Sequence, residues 1–399
     1  MARRKQYCFL CGRVDGSAYV SIGPDAAVCL HCIRALNTMA DNVVSKERTR
    51  VQFESLPLPK PAEIKAFLDQ YVIGQEHAKR RVSLSVYQHY RRLEQLDRGL
   101  ADVELEKANI LMIGPTGTGK TLIARTLARF LRVPFAIADA TTLTEAGYVG
   151  EDVENVLARL VVAADGDIQA AERGIIYIDE IDKIARRSES PSITRDVSGE
   201  GVQQALLKII EGTLATLPPL GGRKHPQANQ EQIDTTHILF ICGGAFDGLD
   251  RIIRDRVTKR GAVGFTSKPP TKDRQPQVLT EDLLRYGLIP ELIGRLPIIV
   301  NLDPLDEQAL VDILVKPRNS LIKQFRRYFE LEGAELTVSD EALQHVAREA
   351  IKKNIGARGL RAILEGIFEP VLFDLPARGR GMKYHLDGNL NLKPIERAA

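Results

Sequence analysis

The stretch Gly114-Pro115-Thr116-Gly117-Thr118-Gly119-Lys120-Thr121 decides the fold of this chain. It has the pattern G-x-x-x-x-G-K-T and lies between the apolar run 110–113 and a helical apolar pattern over 122–131. Glycines let such a loop turn its backbone N–H groups toward phosphate oxygens, and the following helix adds the positive end of its dipole. The order strand, loop, helix therefore predicts a phosphate-binding loop rather than a Gly-rich turn.

The polar residues of this loop have distinct expected tasks. The Lys120 ammonium would reach the β- and γ-phosphates of a nucleotide, and the Thr121 hydroxyl would ligate Mg²⁺. The predicted nucleotide-binding residues are Pro115, Thr116, Gly117, Thr118, Gly119, Lys120, Thr121 and Leu122.

Two acidic residues, Asp179 and Glu180, end a second apolar run that begins at Gly174. Such a run is typical of a strand buried on both faces of a parallel sheet, and its carboxyl end lies at the crevice where ligands bind. Asp179 would hold Mg²⁺ through its water shell, and Glu180 would orient the attacking water. Acids also start helices, so the assignment depends on the phosphate loop being present. Strands alternate with helices throughout, which predicts a doubly wound parallel α/β sheet.

Composition limits the class of protein. The chain has 399 residues, 44% hydrophobic and 27% charged, with a net charge of +3. This favours two or three globular domains, and the charge is too small to argue for nucleic acid binding. No apolar run has membrane-spanning length, and no apolar signal core follows the basic N-terminus. We expect a protein of the bacterial cytoplasm, without a membrane partner.

Four cysteines near the N-terminus, Cys8, Cys11, Cys29 and Cys32, form two C-x-x-C pairs. The separation of the pairs fits the zinc-site spacing of about 15–20 residues. Four thiolates complete a tetrahedron, which predicts one structural Zn²⁺ per chain. Two disulfides are the alternative, and they are disfavoured in a reducing compartment. His31 could replace one cysteine, although the four thiolates already satisfy the metal. We expect this unit to dock proteins, with nucleic acid binding as the alternative.

The segment after the zinc unit turns polar and then proline-rich, which predicts an extended linker over 51–61. A long amphipathic helix is expected from about Gln75 to Leu96. In phosphate-loop ATPases of this layout, the short apolar segment before that helix packs against adenine. Val72 and Ile73 are therefore candidate adenine contacts, with ordinary core packing as the alternative.

These motifs together resemble the ClpX family, the AAA+ unfoldase subunits of the Clp protease. The resemblance runs almost end to end. It implies a homohexamer that hydrolyses ATP, unfolds proteins, moves them through its pore and feeds them to the ClpP peptidase, without being a peptidase itself. It implies a zinc-binding domain over 1–50, an AAA+ large domain over 62–302 and a small, mostly helical AAA+ domain over 303–399. The motifs that carry it are the cysteine pairs, the phosphate loop, Ile178-Asp179-Glu180-Ile181-Asp182-Lys183 and Gly356-Ala357-Arg358-Gly359-Leu360-Arg361.

Two arginines gain roles from the resemblance. Arg295 matches the arginine finger, which would reach the γ-phosphate bound by the neighbouring subunit, with a surface ion pair as the alternative. Arg358 matches the second sensor arginine, which would contact the nucleotide of its own subunit. Hydrolysis could then change the angle between the domain that carries the phosphate loop and the domain that carries Arg358.

Four loops match substrate- or peptidase-binding loops of the family. Tyr148 with Val149 would form the first pore loop, and Arg195 lies in the second. A Val-Gly-Phe tripeptide replaces the family's Ile-Gly-Phe, in a loop that is shorter than expected, and it would dock on ClpP. The residues are Tyr148, Val149, Arg195, the basic entrance residues Arg223, Lys224 and His225, and the tripeptide Val263, Gly264 and Phe265.

In the C-terminal region the pattern predicts helices over 307–329, 339–353 and 359–372, and we assign no role to the tail after Pro376. Substrates would be tagged or delivered by adaptors. Two other functions are possible: a ClpX-like remodeller that works without a peptidase, and a nucleic-acid AAA+ machine. The second predicts a basic stripe with interleaved aromatic residues, which the sequence lacks.

Overall fold

The architecture is taken from a computed structural model. It describes residues 8–12, 19–21, 27–34, 36, 57–99, 103, 105–144, 151–185, 199–218, 231–261, 277–353, 355–378 and 381–395. The chain divides into two compact units, Met1–Leu58 and Pro59–Ala399. Among the helices described, none combines the length and apolar character needed to cross a membrane.

The first unit contains a short antiparallel hairpin of β1 (Tyr19–Ser21) and β2 (Ala27–Cys29). Residues 30–34, which follow β2, are helical. Among the residues of this unit that the structure describes, the buried hydrophobic ones are Cys8, Val28 and Cys29. A unit as short as Met1–Leu58 buries little apolar surface, so a further source of stability such as a metal is expected.

The second unit begins with a large α/β part. Its elements, in chain order, are α1 (Pro61–Asp69), α2 (Glu76–Asp97), β3 (Ile110–Ile113), α3 (Lys120–Leu131), β4 (Phe135–Asp139), β5 (Leu143–Thr144), β6 (Glu151–Asp152), α4 (Glu154–Ala163), α5 (Ile168–Ala171), β7 (Ile175–Asp179), α6 (Glu200–Glu211), β8 (Leu214–Thr216), β9 (Gln232–Asp234), β10 (Leu239–Gly244), α7 (Leu249–Gly261), α8 (Thr280–Tyr286), α9 (Pro290–Gly294) and β11 (Ile298–Asn301).

Five of these strands form one parallel sheet in the order β11-β3-β10-β7-β4. Alternate side chains enter two cores on opposite faces of the sheet: Leu111 of β3 packs toward α4 and α6, whereas Met112 packs toward α1, α2 and α3. Cys242 is buried in the first core, and burial raises the pKa of its thiol to about 12. The sheet is therefore buried on both faces, as the apolar runs predicted, and the α/β fold class is confirmed.

The C-terminal region is a mostly helical domain with its own core. Its elements are α10 (Glu307–Val315), α11 (Leu321–Leu331), β12 (Glu335–Val338), α12 (Asp340–Lys352), α13 (Gly356–Arg378), β13 (Lys383–Leu386) and β14 (Leu392–Ile395). The predicted start of α12 is confirmed, because the Ser339 hydroxyl accepts a hydrogen bond from Ala342 N–H (3.2 Å).

One expectation for this region was wrong. The single helix over 307–329 is divided into α10 and α11, because Pro317 lacks a backbone N–H and its ring obstructs the preceding turn. The tail without a predicted role forms β13 and β14, which pair with β12 in a three-stranded sheet.

Candidate nucleotide site and metal centre

A cavity of about 340 Å³ lies at the carboxyl ends of β3 and β7 in the second unit. Its lining includes residues 116–122 of the phosphate loop and helix α3, and both acids, Asp179 and Glu180. Residues 71–73 contribute a wall from the segment between α1 and α2, and Arg358 contributes from α13. The sheet thus brings together, at one crevice, residues far apart in the sequence, as expected for a ligand site of an open α/β sheet.

The loop backbone has the conformation that the glycines allow. Gly117 has φ +83° and Gly119 has φ +102°, a region that residues with a Cβ rarely adopt. The first intrahelical bond of α3 runs from Ile123 N–H to Gly119 O (2.9 Å). The amides of residues 120–122 precede that bond and lie at a helix N-terminus on the cavity wall, a place suited to phosphate oxygens.

Lys120 is buried at the base of the loop. Its ammonium donates to Gly114 O (2.5 Å) and to Pro115 O (3.0 Å). Burial lowers the pKa of Lys120, and the carboxylate of Asp179 opposes that shift. An anionic phosphate in the cavity would favour the charged amine in the same way. Pro115 itself does not line the cavity; its carbonyl oxygen holds the lysine.

Asp179 is held by three neighbours. The Thr121 hydroxyl donates to Oδ2 (3.1 Å), while the Tyr177 hydroxyl (3.2 Å) and Glu180 N–H (3.0 Å) donate to Oδ1. Gly243 of β10 leaves room for the tyrosine, because a Cβ there would lie 2.1 Å from the Tyr177 hydroxyl oxygen. The hydroxyl of Thr121 and the carboxylate of Asp179 are hard oxygen ligands in contact, a donor set that fits Mg²⁺.

Glu180 turns out of the strand into the cavity. Its φ of +56° is unusual for a residue with a side chain, and the side chain is exposed. Asp182, two residues on, is buried and accepts from Ala245 N–H (3.1 Å), and it forms an ion pair with Lys183 (3.5 Å). Glu180 is therefore the acid of this pair that is open to water.

The C-terminal domain closes one side of the cavity. Arg358 is exposed on its wall, and no side chain in the described part of the chain pairs with its guanidinium. The start of α13 lies against the loop, because a Cβ on Gly117 would be 3.2 Å from Ala357 N, and one on Gly356 would be 3.1 Å from Thr116 O. The phosphate loop and this helix N-terminus are in backbone contact.

Arg295 lies away from this cavity. Its Nε donates to Glu211 Oε1 (2.9 Å), and both side chains are exposed. Within the chain, Arg295 therefore forms the surface ion pair that was the alternative to the arginine finger. Exposed pairs of this kind contribute only about 0.2–1 kcal/mol to the free energy of unfolding. Such a pair is easily exchanged for a stronger anionic partner.

The two candidate adenine contacts differ in burial. Val72 is buried in the core beside α1 and α2 and also lines the cavity, so both of its proposed roles are compatible. Ile73 is half-buried and lines the cavity.

The four predicted metal ligands of the first unit converge. The Sγ atoms of Cys8, Cys11, Cys29 and Cys32 all lie within 4.8 Å of one another, and the thiols are free of disulfide bonds. The backbone N–H of Cys29 donates to the sulfur of Cys8 and lowers the pKa of that thiol to about 6. Four thiol donors in one cluster fit a tetrahedral structural Zn²⁺ site, and the alternative of two disulfides is wrong.

The predicted loop residues are not among those that the structure describes. These are Tyr148, Val149, Arg195, Arg223, Lys224, His225, Val263, Gly264 and Phe265.

Sequence reasoning assigned no role to several residues at the site. Tyr177 had a recognisable signal, since a tyrosine within an aliphatic buried strand needs a partner for its hydroxyl. Leu305 and Ile313 of the C-terminal domain line the cavity, as do Tyr71 and Ala357. No local pattern marks these apolar residues, because their position depends on how the two domains meet.

Comparison with known proteins places these observations in a family context. Residues 105–299 match the family model of the AAA domain (Cdc48 subfamily), and residues 305–385 match that of the C-terminal, D2-small domain of ClpB protein. The ATP-dependent Clp protease ATP-binding subunit ClpX of Bacteroides thetaiotaomicron is 49% identical over 388 residues, which cover 95% of this chain and 93% of that protein.

Proposed function

The chain belongs to the ClpX family, and from that premise we propose that it is an ATP-dependent protein unfoldase of the bacterial cytoplasm. It recognises tagged or adaptor-delivered proteins, unfolds them, and moves them through the pore of a homohexamer into the ClpP peptidase. The chain itself hydrolyses ATP and no peptide bonds. The observation that carries the proposal is the cavity in which Lys120, Thr121, Asp179 and Glu180 meet Arg358 of the second domain.

Within this cavity each residue acts on ATP in a defined way. The amides at the start of α3 and the Lys120 ammonium bind the phosphates, and the exposed Glu180 carboxylate orients water for attack. Thr121 and Asp179 would hold Mg²⁺, which neutralises charge on the β- and γ-phosphate oxygens. The contact of Asp179 with Thr121 at 3.1 Å supports this assignment.

The two arginines serve opposite sides of a subunit interface. Arg358 contacts the nucleotide of its own chain, a role supported by its position on the cavity wall. Arg295 acts on the nucleotide of the neighbour, and to do so its guanidinium exchanges Glu211 for phosphate oxygens. Its exposure and its distance from its own cavity are compatible with this action in trans.

The zinc unit is structural and serves in docking proteins. Four thiolates saturate tetrahedral zinc, so the metal has no open position for catalysis. Zinc binding contributes on the order of 10 kcal/mol to folding in such units, which compensates for the small core around Cys8, Val28 and Cys29.

The remaining roles belong to loops outside the described residues. Tyr148 and Val149 grip the translocating chain, Arg195 belongs to the second pore loop, and the basic triplet Arg223–His225 attracts the carboxylate of a substrate tail. The Val-Gly-Phe tripeptide docks on ClpP. These assignments rest on the family resemblance of the motifs.

The test uses a folded fluorescent protein with a C-terminal tag ending in Leu-Ala-Ala, incubated with this protein, ATP and Mg²⁺, with and without ClpP. We expect ATP-dependent loss of fluorescence in both reactions and peptides only with ClpP. Unfolding without faster proteolysis would identify a remodeller that works without a peptidase. ATP hydrolysis without loss of fluorescence would contradict the proposal.

A further inference from the structure

A six-residue segment, Gln70 to Gln75, connects α1 to α2 and supplies a wall of the nucleotide cavity through residues 71–73. Gln75 ends it in the left-handed region, with φ +57°, and is 6% exposed. A buried polar side chain on a strained backbone is retained only where surrounding contacts hold it. The group that bonds to the Gln75 side chain therefore shows what holds this residue in place.

That partner is the backbone of Asp303, 228 positions away in the sequence. Gln75 Nε2 donates to Asp303 O (2.7 Å), and Asp303 N–H donates to Gln75 Oε1 (2.8 Å). The Gln75 carboxamide thus pairs with both backbone polar groups of Asp303, its C=O and its N–H. A glutamate cannot donate the first bond, and an asparagine is one methylene too short to make both.

Asp303 lies at the junction between the AAA domain and the C-terminal domain. The residue before it, Leu302, donates its N–H to Ile113 O (2.7 Å) and packs on Gly114, where a Cβ would lie 2.7 Å from Leu302 O. Pro304 follows, with a fixed φ, and it also restricts the conformation of Asp303. The chain is therefore held to the AAA domain as far as Asp303, and rotation is left to the few residues before α10.

The other end of the same segment is bonded to the C-terminal domain. Arg318 N–H, in the turn between α10 and α11, donates to Gln70 O (2.8 Å). The cavity wall 71–73 is thus hydrogen-bonded to the domain junction at one end and to the C-terminal domain at the other.

From this arrangement we infer that Gln75 is a positioning residue, which anchors the start of the interdomain hinge and couples nucleotide contact at 71–73 to the angle between the domains. The inference rests on the proposed function, ATP-driven unfolding, and on the expectation that ATP hydrolysis changes the angle between the domain that carries the phosphate loop and the domain that carries Arg358. Without the two bonds to Asp303, the hinge begins earlier and nucleotide binding moves the C-terminal domain less effectively.

The test compares Gln75→Asn with Thr235→Val in the full-length, zinc-loaded protein. Asparagine tolerates a positive φ, so this change removes the bonds without adding backbone strain. Thr235 is a matched control, because its buried hydroxyl accepts from Thr213 N–H (2.8 Å) and donates to Thr213 O (3.2 Å), wholly within the AAA domain.

Three quantities are measured. Hydrogen exchange of the Asp303 amide is expected to be about tenfold faster in Gln75→Asn, and the dissociation constant for a fluorescent ADP about three- to tenfold higher. The ATP consumed per tagged protein unfolded is expected to at least double. Thr235→Val leaves all three quantities close to those of the unsubstituted protein.

Two results would overturn the inference: an Asp303 amide that is unprotected in the unsubstituted protein, or a Gln75→Asn variant with unchanged ADP affinity and unchanged ATP consumption. Equal changes in both variants would show that Gln75 contributes only general stability. If the unsubstituted protein hydrolyses ATP but unfolds nothing, the proposed function fails, while exchange and ADP affinity still decide the role of Gln75.

Discussion

Replacing Tyr177 with phenylalanine removes one hydrogen bond from the carboxylate that is proposed to hold Mg²⁺. The tyrosine is fully buried, and its hydroxyl donates to Asp179 Oδ1 at 3.2 Å. That oxygen keeps the N–H of Glu180 at 3.0 Å, so it is not left without a donor. The loss should therefore be near that of one ordinary hydrogen bond, about 1 kcal/mol, which corresponds to about a fivefold change in an equilibrium constant.

The assay measures the affinity of a fluorescent ATP analogue at several Mg²⁺ concentrations. For Tyr177→Phe we expect half-saturation at about fivefold higher Mg²⁺, with little change in affinity when Mg²⁺ is absent. Tyr90→Phe is the control, because the Tyr90 hydroxyl donates to Arg173 O (3.0 Å) and lies outside the cavity. An unchanged Mg²⁺ requirement in Tyr177→Phe, or equal shifts in both variants, would refute the reasoning.

Three further predictions concern separate parts of the molecule. Arg295→Ala should lower ATP turnover by about 10³-fold, whereas Glu211→Gln, which removes only the exposed ion pair, should leave it within about twofold; equal losses would contradict action in trans. Cys29→Ser should release zinc, seen with a colorimetric indicator, while ADP affinity stays unchanged; retained zinc would contradict the four-thiolate site. Burial lowers the pKa of His89 to about 3, so between about pH 6.5 and 3 the unfolded chain binds more protons and stability falls as pH falls. The free energy of unfolding, measured with denaturant, should fall less between pH 7 and pH 5 in His89→Gln than in the unsubstituted protein. An equal fall in both proteins would exclude His89 as its cause.

Much of the nucleotide site was predictable from local sequence. The spacing of the glycines identifies the phosphate loop. The apolar runs before Gly114 and Asp179 predict strands buried on both faces. The carboxyl ends of parallel strands lie at the same edge of the sheet. The two motifs alone therefore place Thr121 close to Asp179, and the two side chains are hydrogen-bonded.

The unpredicted features depend on contacts distant in sequence. Gln75 bonds to a backbone 228 positions away, and no periodicity marks it. The break at Pro317 had a local signal that the apolar pattern on either side concealed. The strands after Arg378 are short, and they exist because β12 offers an edge to pair with.

The most direct test of ATP-driven unfolding compares the unsubstituted protein with Glu180→Gln in the loss of fluorescence from the tagged substrate, at saturating ATP and Mg²⁺. The substitution preserves shape and removes the carboxylate that orients water. We expect the variant to bind ATP with unchanged affinity, to hydrolyse it far more slowly, and to leave the substrate folded. Unfolding at the unsubstituted rate by Glu180→Gln would contradict the claim that hydrolysis in this cavity drives the work.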